Sequence, residues 1–171
     1  GRTPDGKRIH AGPLAADSPL LREIGRLREL TFRAAGEGTG QRLDLDAFDT
    51  WYDHIVLWDG EALEIAGGYR VAACERVFAE RGLAGLYSAS LFTYPCQLLP
   101  RLMQSVELGR SFVAPAYQGS RSLDYLWHGI GAYVRHQPGV RYLFGPVSIS
   151  AALPLAAREQ MVAYYSRYYG D

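Results

Sequence analysis

A strand that carries a carboxylate and a guanidinium, then breaks into a glycine turn and a helix, constrains this chain more than any other feature. Residues 105–119 read Ser-Val-Glu-Leu-Gly-Arg-Ser-Phe-Val-Ala-Pro-Ala-Tyr-Gln-Gly. Val106, Leu108, Phe112 and Val113 supply the apolar side chains of a half-buried strand, while Glu107 and Arg110 occupy polar slots. Pro115 ends the strand because it has no N–H to give to a ladder. Gly119 stands just before a long amphipathic pattern. Three residues apart on a regular strand, Glu107 and Arg110 point to opposite faces, unless Gly109 introduces a bulge.

The rest of the chain is read around that stretch. Ser18-Pro19 starts a helix: a capping serine, then proline at the first helical position. Leu20, Ile24, Leu27 and Thr31 follow on one stripe, with Glu29 largely on the opposite face. Gly36, Gly38 and Gly40 predict a mobile loop. Residues 41–52 are acidic, with Asp44, Asp46 and Asp49 among apolar residues. His54 then enters a short buried strand, and Asp59-Gly60 signals a hairpin. Its return strand spans about residues 63–73, with a bulge expected at Gly67-Gly68 and Arg70 beyond it. Residues 76–81 suit a turn or helix, 86–92 a strand, and 98–103 a short helix. A helix follows Gly119 and ends before Pro138-Gly139. Residues 142–150 read as a strand with a Gly-Pro interruption, and Pro154 precedes a last helix. This order predicts an α/β (α+β) domain over residues 15–171, with a mixed, mostly antiparallel central sheet flanked by helices. Residues 1–14 are expected to form a mobile tail and an edge strand.

Composition narrows the function. Eighteen basic residues balance eighteen acidic ones, so the charge excess of a nucleic-acid binder is missing and no nucleic-acid partner is expected. Cys74 and Cys96 have no metal-ligand spacing, so no metal is expected, and they read as reduced thiols of a cytoplasmic protein. No apolar run reaches the ~20 residues of a membrane helix. The aromatic last helix allows at most peripheral membrane contact, at the inner membrane face. The chain begins at Gly1, which suggests a segment cut from a longer, two-domain protein.

Several of these residues, in this order, resemble the GNAT acyltransferases. Glu107-Leu-Gly-Arg110-Ser, Tyr117-Gln-Gly, Trp127, Tyr52-Asp-His54-Ile-Val and Phe144-Gly145 are similar to the ornithine-lipid N-acyltransferases and hemolysin-like GNAT proteins. A sparser set resembles the acyl-homoserine lactone synthases: Arg28 to Phe32, Asp46 and Asp49, Arg70, and Glu107 to Arg110, with Gly109 in place of serine. The run from Gly145 to Ser150 also looks like the GNAT part of proteins whose other half is a second acyltransferase domain.

The resemblance implies an enzyme of lipid biosynthesis. It would move a fatty acyl group to the amine of an amino acid or similar small acceptor. No cofactor is held permanently; the donor is an acyl-phosphopantetheine thioester on acyl carrier protein or coenzyme A. Glu107 and Arg110 are the implied catalytic residues, with Glu107 as base or amine anchor. Arg110 is expected to pair with Asp46 or Asp49, and Arg28, Phe32 and Arg70 complete a substrate cage whose arginines stand available for a carboxylate. Phe112 and Val113 mark the backbone that would meet the thioester, and Gly119 and Arg121 the donor's phosphate. His54 is a secondary candidate. Acetyl-CoA-dependent members carry a glycine where this chain has Arg121, a departure that favours the carrier protein. Two rival readings stay open: an ordinary acetyl-CoA N-acetyltransferase, and a non-catalytic partner domain of a larger lipid acyltransferase.

Overall fold

Alternation along the hairpin strands decides which helix covers which face of the sheet. In the computed structural model, which describes residues 1–150 and 152–170, β2 (Asp53–Asp59) sends Ile55 and Leu57 one way and Val56 the other. Ile55 and Leu57 pack with Tyr125, Leu126, Ile130 and Tyr133 of helix α4 (Ser122–Arg135). Val56 packs with Ile24 and Leu27 of helix α1 (Pro19–Ala34). The sheet is therefore sandwiched between α1 and α4; Leu21, Ile24, Leu27, Leu126 and Ile130 of the expected stripes are buried, while Leu30, Leu123 and Trp127 stay exposed.

The sheet runs in sequence order through β1 (Arg8–Pro13), β2, β3 (Glu64–Ala73), β4 (Ser105–Val113) and β5 (Tyr142–Phe144). All neighbours are antiparallel except β4 and β5, which are parallel. Helix α2 (Cys74–Arg81) follows β3 directly, and a short α3 (Leu99–Met103) precedes β4. A third apolar cluster of Tyr52, Ala72, Cys74, Val77 and Leu86 fills the space under the segment between them. The last helix, α5 (Leu155–Tyr169), buries none of its side chains.

Five local expectations are corrected. Residues 1–6 are no mobile tail: they fold back as a tight turn, Thr3 N donating to Lys7 O at 2.8 Å and Ile9 N to Gly1 O at 2.9 Å. The segment expected as a strand at 86–92 forms 3₁₀ turns at Leu83–Gly85 and Tyr87–Ser90. The last strand is shorter than read, since β5 stops at Phe144 and residues 145–150 pair with no strand among the described residues. The β2–β3 irregularity falls beside Ala66, where Leu57 pairs with Gly67 and Trp58 with Ile65. Gly67 and Gly68 instead admit the neighbouring strand: a Cβ on Gly67 would lie 2.7 Å from Phe112 O, and one on Gly68 3.0 Å from the Phe112 ring.

Glu29 is the fifth correction. It is buried rather than solvated, because its carboxylate organises residues 36–41 as a folded loop. Oε2 accepts from Thr39 N (2.9 Å) and Thr39 Oγ1 (2.6 Å), while Oε1 accepts from Gly40 N and Arg33 Nη2. These donors, the Thr39 hydroxyl first, pull its pKa from 4.5 to about 2. A carboxyl whose folded pKa is depressed stabilises the fold above its unfolded pKa and stops doing so as pH falls through the folded one. Wild-type protein is expected to lose stability between pH 4.5 and about 2, and Glu29→Gln to lose its share of that dependence, as read by urea denaturation across the window. Gly67→Ala should destabilise by about 1–3 kcal/mol in the same assay, since Phe112 O is backbone and cannot yield.

Candidate active site

The covered face of the sheet under α1 holds a group of charges. Arg28 faces the sheet because it lies on the stripe of Leu21, Ile24 and Leu27. Arg70 projects to the same side from β3, its neighbour Val71 going into the α4 core. Both side chains are only 1 % exposed. Their counter-charges come from the link between α1 and β2, where a 3₁₀ turn at Ala47–Thr50 carries Asp46 and Asp49.

Asp49 joins the group together. Its Oδ2 accepts from Asp46 N at 2.9 Å, which caps the turn. Its Oδ1 lies 2.7 Å from Arg28 Nη1 and 3.3 Å from Arg70 Nη1. Burial pushes the Asp49 carboxyl up, but the two guanidinium charges outweigh it and hold its pKa below the ordinary value. Asp46 Oδ1 takes Arg70 Nη1 at 2.5 Å. The Arg70 guanidinium also lies over the rings of Phe48, Tyr52 and Tyr87, 5.2–5.7 Å from their centroids. Arg28 and Arg70 are thus occupied by aspartates, and the expectation that they stand available for a carboxylate is corrected. Phe32 is a packing residue on the α1 layer rather than part of this cage.

His54 also points to this side. Burial lowers its pKa, so at neutral pH it is uncharged and its Nε2 donates to Asp49 O at 3.1 Å. That bond fixes the turn carrying Asp49 and makes His54 a structural partner.

Glu107 and Arg110 reach the same side, contrary to regular-strand geometry. Gly68 pairs with Phe112 and Arg70 with Gly109, so Tyr69 alone opposes Arg110 and Ser111. This is a β-bulge, and Arg110 adopts φ +49° within it. Glu107 forms no ion pair with Arg110 among the described residues. It is fully buried and accepts from Tyr52 Oη and, at 2.7 Å, from Ser88 N. Burial and then the Glu107 charge push the Tyr52 phenol far up, so it remains a protonated donor. Tyr52 Oη in turn accepts from Tyr87 N at 2.8 Å. Tyr87 and Ser88 were not identifiable beforehand, because nothing in an irregular segment says which amide will face a distant carboxylate.

Arg110 pairs with no aspartate at hydrogen-bond distance. Nη2 is 3.7 Å from Asp44 Oδ1 and 3.9 Å from Asp46 Oδ2, and its guanidinium lies over the Tyr87 ring at 5.3 Å. Asp44 was part of the acidic segment but not singled out. It is buried, and burial, against the pull of Arg110, raises its carboxyl pKa.

Beyond Glu107 the sheet opens. Pairing of β4 with β5 ends at Glu107 and Phe144. A Cβ on Gly145 would sit 2.1 Å from Leu108 O, so only glycine lets the chain pass this close to β4 just beyond the last paired residue. The wedge is a cleft of about 310 Å³ lined by residues 108–111 of β4, residues 143–147, and Tyr69 and Trp127. Phe112 and Val113 lie just past it. The Phe112 ring is buried under α1. Ala114 N donates to Ala66 O, so the preceding Val113 is a position whose N–H turns away from β3. Gly119, at φ +76°, turns the chain into α4. Arg121 is exposed at that helix start, with Nε 3.5 Å from Asp124 Oδ2. Among the described residues no cluster of His, Cys, Asp or Glu could hold a metal, and no helix is long and apolar enough to cross a membrane.

Comparison with known proteins fits this geometry. A family model described as an acetyltransferase (GNAT) domain matches residues 27–128. The glycine N(alpha)-acyltransferase of Phocaeicola vulgatus is 40 % identical over 168 residues, covering 91 % of this chain and 52 % of that protein. The L-ornithine N(alpha)-acyltransferase of Brucella abortus is 35 % identical over 148 residues, covering 78 % of this chain and 51 % of that one. The chain thus spans about half the length of these relatives. Among solved structures, the acyl-homoserine lactone synthase LasI aligns with a TM-score of 0.55 at 15 % identity, over 92 % of this chain and 77 % of its own. A second such synthase, BjaI, aligns with a TM-score of 0.56 at 17 % identity, over 80 % and 65 %. At these identities the likeness is one of fold.

Asp49→Ala would leave Arg28 and Arg70 buried beside one fewer counter-charge. A loss of about 3–5 kcal/mol is expected in urea denaturation. Arg121→Ala, at an exposed pair, should change stability by less than about 1 kcal/mol.

Proposed function

The chain belongs to the GNAT acetyltransferase-domain family, and we propose that it moves a fatty acyl group from a phosphopantetheine thioester to the α-amine of an amino acid. One observation carries the reading: Arg110 lines the cleft where β4 leaves β5, and the buried Glu107–Tyr52 pair lies on the same strand at the cleft's inner end. Acceptor and thioester would meet at that junction. The relatives named for glycine and ornithine acylation support an amino acid as acceptor.

The chemistry needs few groups. The neutral amine adds to the thioester carbonyl, a C–N bond forms, the C–S bond breaks, and the leaving thiolate finally takes up the proton that the amine has lost. Backbone N–H groups along the opened edge of β4 would hold the oxyanion. The proton lost by the amine passes to a carboxylate or through water. Glu107 is the assigned carboxylate, acting with Tyr52, whose hydroxyl is already bonded to it.

The preferred donor is acyl carrier protein, with acyl-CoA as the competitor. Exposed Arg121 would meet the carrier's phosphate or acidic surface. The product would be a lipid or its precursor, made in the cytoplasm or at the inner face of a membrane, and a second acyltransferase domain in the full protein would complete it.

The test is incubation with acyl carrier proteins, acyl-CoA and acetyl-CoA against a panel of amino acids, read by mass spectrometry. An N-acyl amino acid is expected with a long-chain donor; product from acetyl-CoA alone favours the acetyltransferase reading. Glu107→Gln should lower kcat by about 10²–10⁴-fold. Full activity of Glu107→Gln and Arg110→Ala in the complete protein would leave the domain a non-catalytic partner.

A further inference from the structure

Arginines on this face of the sheet differ in one respect. Arg28 and Arg70 each hydrogen bond to an aspartate at 2.7 and 2.5 Å. The Arg110 guanidinium donates to nothing among the described residues. Asp44 and Asp46 approach it at 3.7 and 3.9 Å, near enough to attract and too far to bond. Its Nε is buried without a partner, as are those of Arg28 and Arg70, and so is Oδ2 of Asp44; what sets Arg110 apart is that its Nη groups make no hydrogen bond either. A guanidinium with no hydrogen bond at all is costly, and a ligand that bonds its Nη groups would offset that cost.

The backbone supports the same point. Arg110 sits at φ +49°, a conformation that a non-glycine residue rarely adopts. The bulge that imposes it turns the guanidinium toward Asp44, Asp46 and Tyr87, and keeps residues 108–111 on the wall of the opened cleft. The side chain is about one quarter exposed, unlike those of Arg28 and Arg70. Arg110 is thus the cation of the cluster that a solute can reach.

We propose that Arg110 binds the free α-carboxylate of the acceptor, so that the domain acylates α-amino acids and discriminates against amines lacking that group. This rests on the acyl-transfer reading above and adds what the acceptor must carry. A guanidinium presents a planar fork of N–H donors that matches a carboxylate in two bonds. Tyr87 lies against its face, and Asp44 and Asp46 both approach Nη2 without bonding to it.

The test compares glycine with glycinamide, using whichever acyl donor gives product. Glycinamide has the less basic amine, so more of it is neutral near physiological pH and simple chemistry favours it. Wild-type protein should nevertheless prefer glycine in kcat/KM by about 10- to 100-fold, the worth of a charged hydrogen-bonded pair. Arg110→Gln should bring the ratio near one mainly through KM for glycine, and Arg110→Lys should fall between. Equal use of glycine and glycinamide by wild-type protein overturns the proposal without any variant having to fold. So does a wild-type ratio that survives in Arg110→Gln. Silence with every amine and every donor overturns the acyl-transfer reading itself, a result distinct from either of these.

Discussion

Everything on the α1 side of the sheet depends on how three arginines, two of them fully buried, are neutralised. Burying a lone guanidinium or carboxylate costs several kcal/mol even after relaxation. Here Arg28, Arg70 and Arg110 stand among Asp44, Asp46 and Asp49, three charges of each sign. Asp49 does most: one oxygen caps the turn and the other meets two arginines. The turn, helix α1 and strand β3 are held in register by a single side chain. The aromatic rings of Phe48, Tyr52 and Tyr87 cover Arg70 and exclude the water that would weaken these pairs.

Two local faults in an otherwise regular sheet then make that charged face chemically useful. The bulge opposite Tyr69 shifts the side-chain phase of β4, so Glu107, Arg110 and Phe112 all project toward α1. The end of β4–β5 pairing at Glu107 and Phe144 leaves backbone unpaired beside them. Neither alone would serve, because a polar cage needs an entrance and an open strand edge needs an acceptor beside it. The fold places both within a few residues of one strand.

Much of this was legible in advance, for reasons that differ by element. Helices α1 and α4 followed from apolar spacing and the Ser18-Pro19 start, which are local signals. The hairpin followed from Asp59-Gly60, and its side chain caps the turn through Glu61 N and Ala62 N. The six charged residues 28, 46, 49, 70, 107 and 110 were singled out on resemblance, and five share one cluster while Glu107 sits in a separate hydrogen-bonded pair with Tyr52. Misses came where long-range contact outweighs pattern. Glu29 sat on the polar side of a helical wheel, yet Thr39 and Gly40 enclose it. Residues 86–92 have the composition of a strand, but the insert over Glu107 is built of turns, with Ser88 N donating to that carboxylate and Tyr87 N to Tyr52 Oη.

By itself the sequence determined the class of fold, the order of elements and the kinds of charged residue available, because periodicity, capping and turn chemistry act over a few residues. The tertiary structure alone decided the use made of those charges. Whether an arginine is satisfied or open depends on a partner tens of residues away: Arg28 finds Asp49, Arg70 finds Asp46, and Arg110 finds no bonding partner. The bulge that separates these outcomes arises from pairing β4 against β3, a register that neither strand encodes alone.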